Sequence, residues 1–147
     1  MSVLLNEIIS GISNALYDEF GQEYRIYKEK IEQGLKEPCF SVLCISPTIK
    51  KGLGNRYEKN NSFCIHYFAE SKNFRSECMD VFERMVDCLE YITVSGDLVR
   101  GLNIHAEEIT EDGIMHVFVD YNIPVIKVVE QTKMETLRQK TEVRQNG

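Results

Sequence analysis

The sequence lacks a long apolar run and a recognisable signal peptide. No segment approaches the roughly 20 apolar residues that a membrane-spanning helix needs, so neither a transmembrane helix nor a membrane partner is predicted. Residues 1–5 include no basic segment, and Glu7 interrupts the apolar residues that follow, which argues against a secretory signal. A cytosolic origin is therefore expected.

A disulfide pattern is also lacking. The five cysteines are odd in number and include no Cys-x-x-Cys pair, which argues against a disulfide framework and a zinc knuckle. Each cysteine lies in an apolar stretch, as buried reduced cysteines do. Cys64 and His66 share one face of a predicted strand, as two metal ligands would. Because no further ligand follows at a suitable spacing, an ordinary packing role is favoured, and no metal or other cofactor is predicted.

Three patterns of catalytic chemistry are incomplete. Glu70-Ser71-Lys72 follows a predicted strand, as in cation-dependent nucleases, but the strand before it supplies no acidic residue. His105 is predicted to lie opposite Asp120, without a nucleophile in a suitable turn nearby. Gly52-Leu53-Gly54 has neither the Walker nor the GxGxxG spacing. The sequence therefore predicts no enzyme, with a small cytosolic enzyme or ligand-binding domain kept as an alternative.

Charge is distributed unevenly along the chain. The net charge of −6 argues against nucleic acid as a partner. Residues 47–61 carry four basic residues against one acidic residue, or +3, whereas residues 103–122 carry five acidic and no basic residues, or −5. Such asymmetry suits a self-assembling or docking surface, with a solvated loop and a solvated hairpin as the alternative. The candidate interface residues are Lys50, Lys51, Arg56, Lys59, Glu107, Glu108, Glu111 and Asp112.

Two amphipathic helices are predicted from apolar residues that recur at steps of three and four. The first runs roughly from Val3 to Phe20, and Gly21 is its expected C-cap. The second runs roughly from Asn73 to Tyr91. Its apolar face consists of Phe74, Cys78, Val81, Met85, Leu89 and Ile92.

Strands are predicted between and after these helices. A short strand is expected within Tyr24–Lys30, followed by a turn at Gln33-Gly34-Leu35. Pro38 cannot donate to a ladder and favours a strand start or edge. Cys39–Ser46 is predicted as a central strand that ends at Pro47. After a long loop, Ser62–Phe68 is predicted as the next strand. These two strands should form a hairpin with an extended basic tip.

A second hairpin is predicted around Asp112-Gly113, a dipeptide typical of a type I′ turn. This turn pairs Glu111 with Ile114 and places Ala106 opposite Val119. Pro124 is expected to interrupt the last strand. The predicted class is α+β, with a mixed, largely antiparallel sheet of four to five strands and two helices on one face. Residues 1–130 are predicted as one domain, and residues 131–147 as a polar tail, helical or disordered.

Several short segments together resemble a known family. They are Gln33-Gly34-Leu35, Glu37-Pro38-Cys39-Phe40, Gly54-Asn55-Arg56-Tyr57, Phe63–Phe68, Val99-Arg100-Gly101 and Asp112–Val117. With these segments, the chain up to about Lys127 resembles the tail terminator proteins of prophages of Gram-positive bacteria and of phage-tail-like bacteriocins.

The resemblance implies a non-enzymatic protein that forms a hexameric ring. Such a ring would stack on the last ring of tail tube protein and stop polymerisation, contacting the sheath protein in contractile tails and the head connector in complete phages. The expected location is a virion or tail-like particle assembled in the bacterial cytoplasm. A head–tail joining protein or another connector component is the alternative. The basic loop and the acidic hairpin are hypothesised to form complementary sides of the ring interface.

Overall fold

The computed structural model describes residues 5–28 and 36–126, apart from the side chain of Glu108. Its elements follow in the order α1 (Leu5–Phe20), β1 (Arg25–Tyr27), β2 (Cys39–Lys51), β3 (Arg56–Phe68), α2 (Phe74–Leu89), β4 (Tyr91–Val94), β5 (Asp97–Ile109) and β6 (Ile114–Ile126). The α+β class is confirmed, with six strands rather than four or five. Within the described part of the chain, no helix is both long and apolar enough to cross a bilayer.

The six strands form one sheet in the order β1-β2-β3-β6-β5-β4. The β1–β2 pair is parallel, and the other neighbouring pairs are antiparallel. The sheet curls, because α1 contacts β1 and β2 near one edge and also β4 at the other. At β4 the helix approaches closely through Gly11, where a Cβ atom would lie only 2.7 Å from the Thr93 carbonyl oxygen.

Both helices are confirmed and bury the faces that their periodicity predicts. Ile8, Ile12 and Leu16 of α1 are completely buried. The predicted C-cap is also confirmed: Gly21 has a φ of +84°, and its N–H donates to the Tyr17 carbonyl at 2.8 Å. The second helix ends at Leu89, two residues before the end predicted at roughly Tyr91.

The β2–β3 hairpin is confirmed, and so is the alternation of β3, whose Phe63, Ile65 and Tyr67 are buried on the helix side. The end predicted at Pro47 and the long loop after it are wrong, because the ladder continues to the pair Lys51–Tyr57. On the side away from β3, the described part of β2 is paired only at its start, with β1. Proline is tolerated at such an edge.

The register predicted for the last hairpin is wrong. Ala106 pairs with Val117 rather than Val119, and its side chain is exposed. The turn spans Thr110–Gly113: the Gly113 N–H donates to the Thr110 carbonyl at 3.0 Å, and Gly113 has a φ of +80°. This is the three-residue loop with a glycine bulge rather than a type I′ turn. Two further irregularities in β5 shift the pairing again.

The β4 strand and its hairpin with β5 were not predicted from the sequence. Ser95 and Gly96 form the turn with φ values of +52° and +87°, the combination of a type I′ turn. The break predicted at Pro124 is wrong, because β6 continues to Ile126 and Pro124 pairs with Glu58 of β3. The turn predicted at residues 33–35 and the tail predicted at residues 131–147 lie outside the described residues.

Candidate assembly interface

The predicted basic residues lie on a hairpin that we call the basic arm, residues 47–59 of β2 and β3. Every residue from Ile45 to Arg56 is exposed. The tip is closed by two backbone hydrogen bonds, from the Gly52 N–H to the Arg56 carbonyl at 2.7 Å and from the Arg56 N–H to the Leu53 carbonyl at 3.1 Å. The arm is therefore an ordered, solvent-exposed extension of the central strands rather than an irregular loop.

The basic arm is partly apolar as well as cationic. Lys50, Lys51 and Arg56 are exposed, whereas Lys59 is half-buried. Lys50 lies directly across the ladder from Glu58, which offsets part of its charge. Leu53 at the tip is 88% exposed. Exposed apolar side chains among cationic ones are typical of a surface that contacts another protein.

The predicted acidic residues lie at the hairpin between β5 and β6, which we call the acidic tip, residues 107–113. Glu107, Glu111 and Asp112 are exposed, and the side chain of Glu108 is outside the described part. The tip is held against the body because the Gly113 carbonyl accepts a hydrogen bond from the Ala69 N–H at 2.9 Å. Its carboxylates are thus presented from a fixed turn.

The structure does not bring the basic arm and the acidic tip together. In the β3–β6 ladder, Arg56 pairs with Ile126 at one end and Phe68 pairs with Ile114 at the other. Twelve residue steps along β3 correspond to roughly 40 Å along the strand at about 3.3 Å per residue. The two charged groups therefore lie at opposite ends of the sheet, where each is available to another molecule.

Beside the basic arm lies a cleft that the sequence did not reveal. The β5–β6 pairing begins at Gly101 and Tyr121, and the strands diverge beyond this pair. The opening between them has a volume of about 300 Å³. Its lining is Val94, Asp97, Leu98, Val99, Arg100, Asn122, Ile123 and Pro124. The turn at Ser95-Gly96 was the available signal for the β4–β5 hairpin, whereas the position of this hairpin beside β6 depends on the pairing of β5 with β6.

The catalytic patterns considered from the sequence take ordinary structural roles. The predicted pairing of His105 with Asp120 is wrong, because the bulged register places His105 opposite Phe118, with ring centroids 5.2 Å apart. Asp120 instead accepts a hydrogen bond from the Asn103 amide at 2.9 Å. The N–H groups of Glu70 and Ser71 donate to the Glu77 carboxylate at 3.1 and 2.9 Å, which secures the entry into α2.

The described residues define a small α+β protein that presents charged, exposed hairpins at the two ends of one curled sheet. Comparison with family models shows that residues 7–133 match the model of phage tail terminator proteins. The match covers most of the chain, and the chain therefore belongs to the phage tail terminator family. A search of curated proteins gave no match. The family identifies a structural component of the tail, with a role in tail assembly.

Proposed function

We propose that this protein caps the tail of a phage or a phage-tail-like bacteriocin as a hexameric ring that ends polymerisation of the tail tube. Besides the family match, the observation that supports this proposal is the separation of the basic arm from the acidic tip. A closed ring needs a heterologous interface, in which two different surfaces of identical subunits meet. Opposite charges at opposite ends of one sheet provide such a pair of surfaces.

The charge pattern supports a contact between two different surfaces of neighbouring copies. Complementary charges guide association and fix the register. An antiparallel two-fold dimer would pair the same charges twice, and the mass of the assembly distinguishes it from a ring. The basic arm of one copy is therefore proposed to contact the acidic tip of the next.

The cleft beside the basic arm is proposed to contribute apolar contacts to the interface between neighbouring copies. Leu98 at its rim is 72% exposed, and Leu53 at the tip of the arm is 88% exposed. A stable interface buries about 1,200–2,000 Å² in total, which charged hairpin tips alone do not supply.

The proposed partners of the assembled ring are the tail tube protein and, in a contractile tail, the sheath protein. In a complete phage the ring would also face the head connector. No catalytic step is proposed.

The test is reversal of charge on the basic arm with Lys50→Glu, Lys51→Glu and Arg56→Glu in one chain. Native mass spectrometry should show a ring for the wild-type protein and smaller species for the variant. In cells that assemble tails, electron microscopy should show overlong tubes with the variant. The matched control, Lys28→Glu, Lys36→Glu and Lys72→Glu, makes the same change of net charge at other exposed positions and should leave the ring intact.

Two contrary results have different meanings. If the arm variant forms a ring of wild-type mass and caps tubes at normal length, the basic arm is not the interface. If the wild-type protein stays monomeric in the presence of tubes and never appears at their ends, the capping function itself is wrong.

A further inference from the structure

A cluster of one cysteine and two histidines lies on the face of the sheet opposite the helices. On β3, Cys64 and His66 alternate with the buried, helix-facing Phe63, Ile65 and Tyr67. On β6, His116 lies directly across the ladder from His66. The Cys64 sulfur and one nitrogen of each histidine all lie within 4.8 Å of one another.

The central ladder fixes this arrangement. Residues two apart on a strand share a face, so Cys64 and His66 are neighbours by alternation. The β3–β6 ladder keeps a continuous register from Arg56 to Phe68, which places His116 beside them. The imidazole rings of His66 and His116 meet with centroids 4.4 Å apart. The sequence contains only three histidines, and two of them converge on one buried thiol.

These ligand types fit zinc. Zn²⁺ binds thiolate sulfur at about 2.3 Å and imidazole nitrogen at about 2.0–2.1 Å in tetrahedral geometry, which separates the ligand atoms by roughly 3.5 Å. The three ligand atoms lie within 4.8 Å of one another, so binding would require each pair of them to approach by no more than about 1.3 Å to reach the separation of a zinc site. Carboxylate-preferring cations such as Mg²⁺ and Ca²⁺ do not match a site of sulfur and imidazole nitrogen.

We propose that Cys64, His66 and His116 form a three-ligand site for Zn²⁺ on the face of the sheet opposite α1 and α2. Binding replaces the thiol proton with the metal and releases that proton to solvent. A water molecule takes the fourth position, as in zinc sites with three protein ligands. The ion would link the two central strands, and this proposal does not depend on the capping function.

The burial of the thiol fits a ligand held within the sheet. Cys64 is only 4% exposed, whereas reactive cysteines are at least partly exposed to solvent. A divalent cation flanked by two imidazoles supplies the positive charge that stabilises the thiolate.

The test measures zinc binding by the purified full-length chain after treatment with a chelator. Titration against a chromophoric competitor should show one Zn²⁺ per chain. Co²⁺ in place of zinc should give a thiolate-to-metal charge-transfer band. Cys64→Ser should abolish that band, and His116→Asn should lower zinc affinity by more than about 100-fold, since losing groups that only orient a ligand already costs about 10- to 100-fold.

Matched controls change the same residue types outside the cluster. Cys88→Ser alters a half-buried cysteine of α2, and His105→Asn alters the remaining histidine, which is exposed. Both should retain wild-type zinc affinity and the cobalt band. Zinc should raise the melting temperature of the wild-type and control proteins and leave that of His116→Asn unchanged.

Three results would overturn the site. The first is that the wild-type protein takes up no zinc in the titration. The second is that Cys64→Ser and His116→Asn bind zinc as tightly as the wild-type chain does. The third is that the two controls lose binding to the same extent as the cluster variants. If Cys64→Ser does not fold, the cobalt spectrum of the wild-type protein and the affinity of His116→Asn still decide the question.

Discussion

Tyr67 and Glu77 join the sheet to the start of α2 through a buried hydroxyl and a half-buried carboxylate. Tyr67 is completely buried, and its hydroxyl donates a hydrogen bond to Glu77. Burial alone would raise the pKa of Glu77, but the hydrogen bonds from Tyr67, Ser71 and Glu70 outweigh it and lower the pKa below its usual value. The carboxylate is thus a structural acceptor that works in its ionised form.

We expect Glu77→Gln to destabilise the protein by about 1–2 kcal/mol at neutral pH, because the charged acceptor of three donors is lost. A carboxyl with a lowered folded-state pKa contributes stability above the unfolded pKa of about 4.3 and loses it as the pH falls through the folded pKa. The difference between wild-type and variant should therefore be full at neutral pH and shrink in acid.

Urea denaturation at several pH values measures this difference. Glu83→Gln changes an exposed carboxyl of the same helix and should alter stability little at any pH. An equal gap between wild-type and Glu77→Gln at neutral and acidic pH would show that the carboxylate charge has no part in the contact.

At the scale of elements, the turn between β4 and β5 depends on residues with positive φ. Gly96 has a φ of +87°, which costs a residue with a Cβ about 1–2 kcal/mol. Gly96→Ala should therefore destabilise the protein by about 1 kcal/mol after the lower entropy of the unfolded alanine chain is counted. Ser95→Asn is the matched control and should be neutral or slightly stabilising, because asparagine tolerates its φ of +52°. Equal midpoints of urea unfolding for the two variants would contradict this account of the turn.

The hydrophobic periodicity of single elements predicts both helices and most strands of this fold. Leu16 of α1 and Ile65 of β3 are buried as their spacing indicates, since local periods of 3.6 and 2 decide which face is apolar. The incorrect predictions concern strand ends and registers, which depend on pairing with strands that are distant in the sequence. The strand continues through Pro47 because this residue lies on an edge of the sheet. Asn103 has a φ of +56° and lies in a bulge that no dipeptide in the sequence predicts.

For the candidate interface as well, the sequence predicts the local features but not the long-range contacts. Charge counting located the basic arm and the acidic tip, because runs of like charge are visible in one dimension. Their separation was not predictable, since it depends on the pairing of β3 with β6. For the same reason His116 was not associated with Cys64 and His66, although the latter two share a strand.

At the scale of the whole molecule, one curled sheet carries both charged ends and the proposed zinc site. The helices cover one face, and their contacts with both edges hold the curl. The basic arm and the acidic tip extend the two ends of the central ladder, so a contact between successive copies would align their strands in a defined register. A contact that depends on opposite charges should weaken as salt rises, because the Debye length is only about 10 Å at 0.1 M ionic strength.

A charge exchange within one chain tests the pairing of the two ends directly. Glu107→Lys, Glu111→Lys and Asp112→Lys together change the formal charge of the acidic tip from −4 to +2. The triple variant of the basic arm proposed above changes the charge of that arm from +3 to −3. Either triple variant gives the two ends the same sign and should reduce the ring in native mass spectrometry. All six changes together restore opposite charges in exchanged positions and should recover the ring, because electrostatic complementarity depends on the product of the charges. Each variant keeps the fold if its circular dichroism and melting temperature match the wild-type protein. Failure of the sixfold variant to recover any ring, while it stays folded, would show that the two ends do not meet each other.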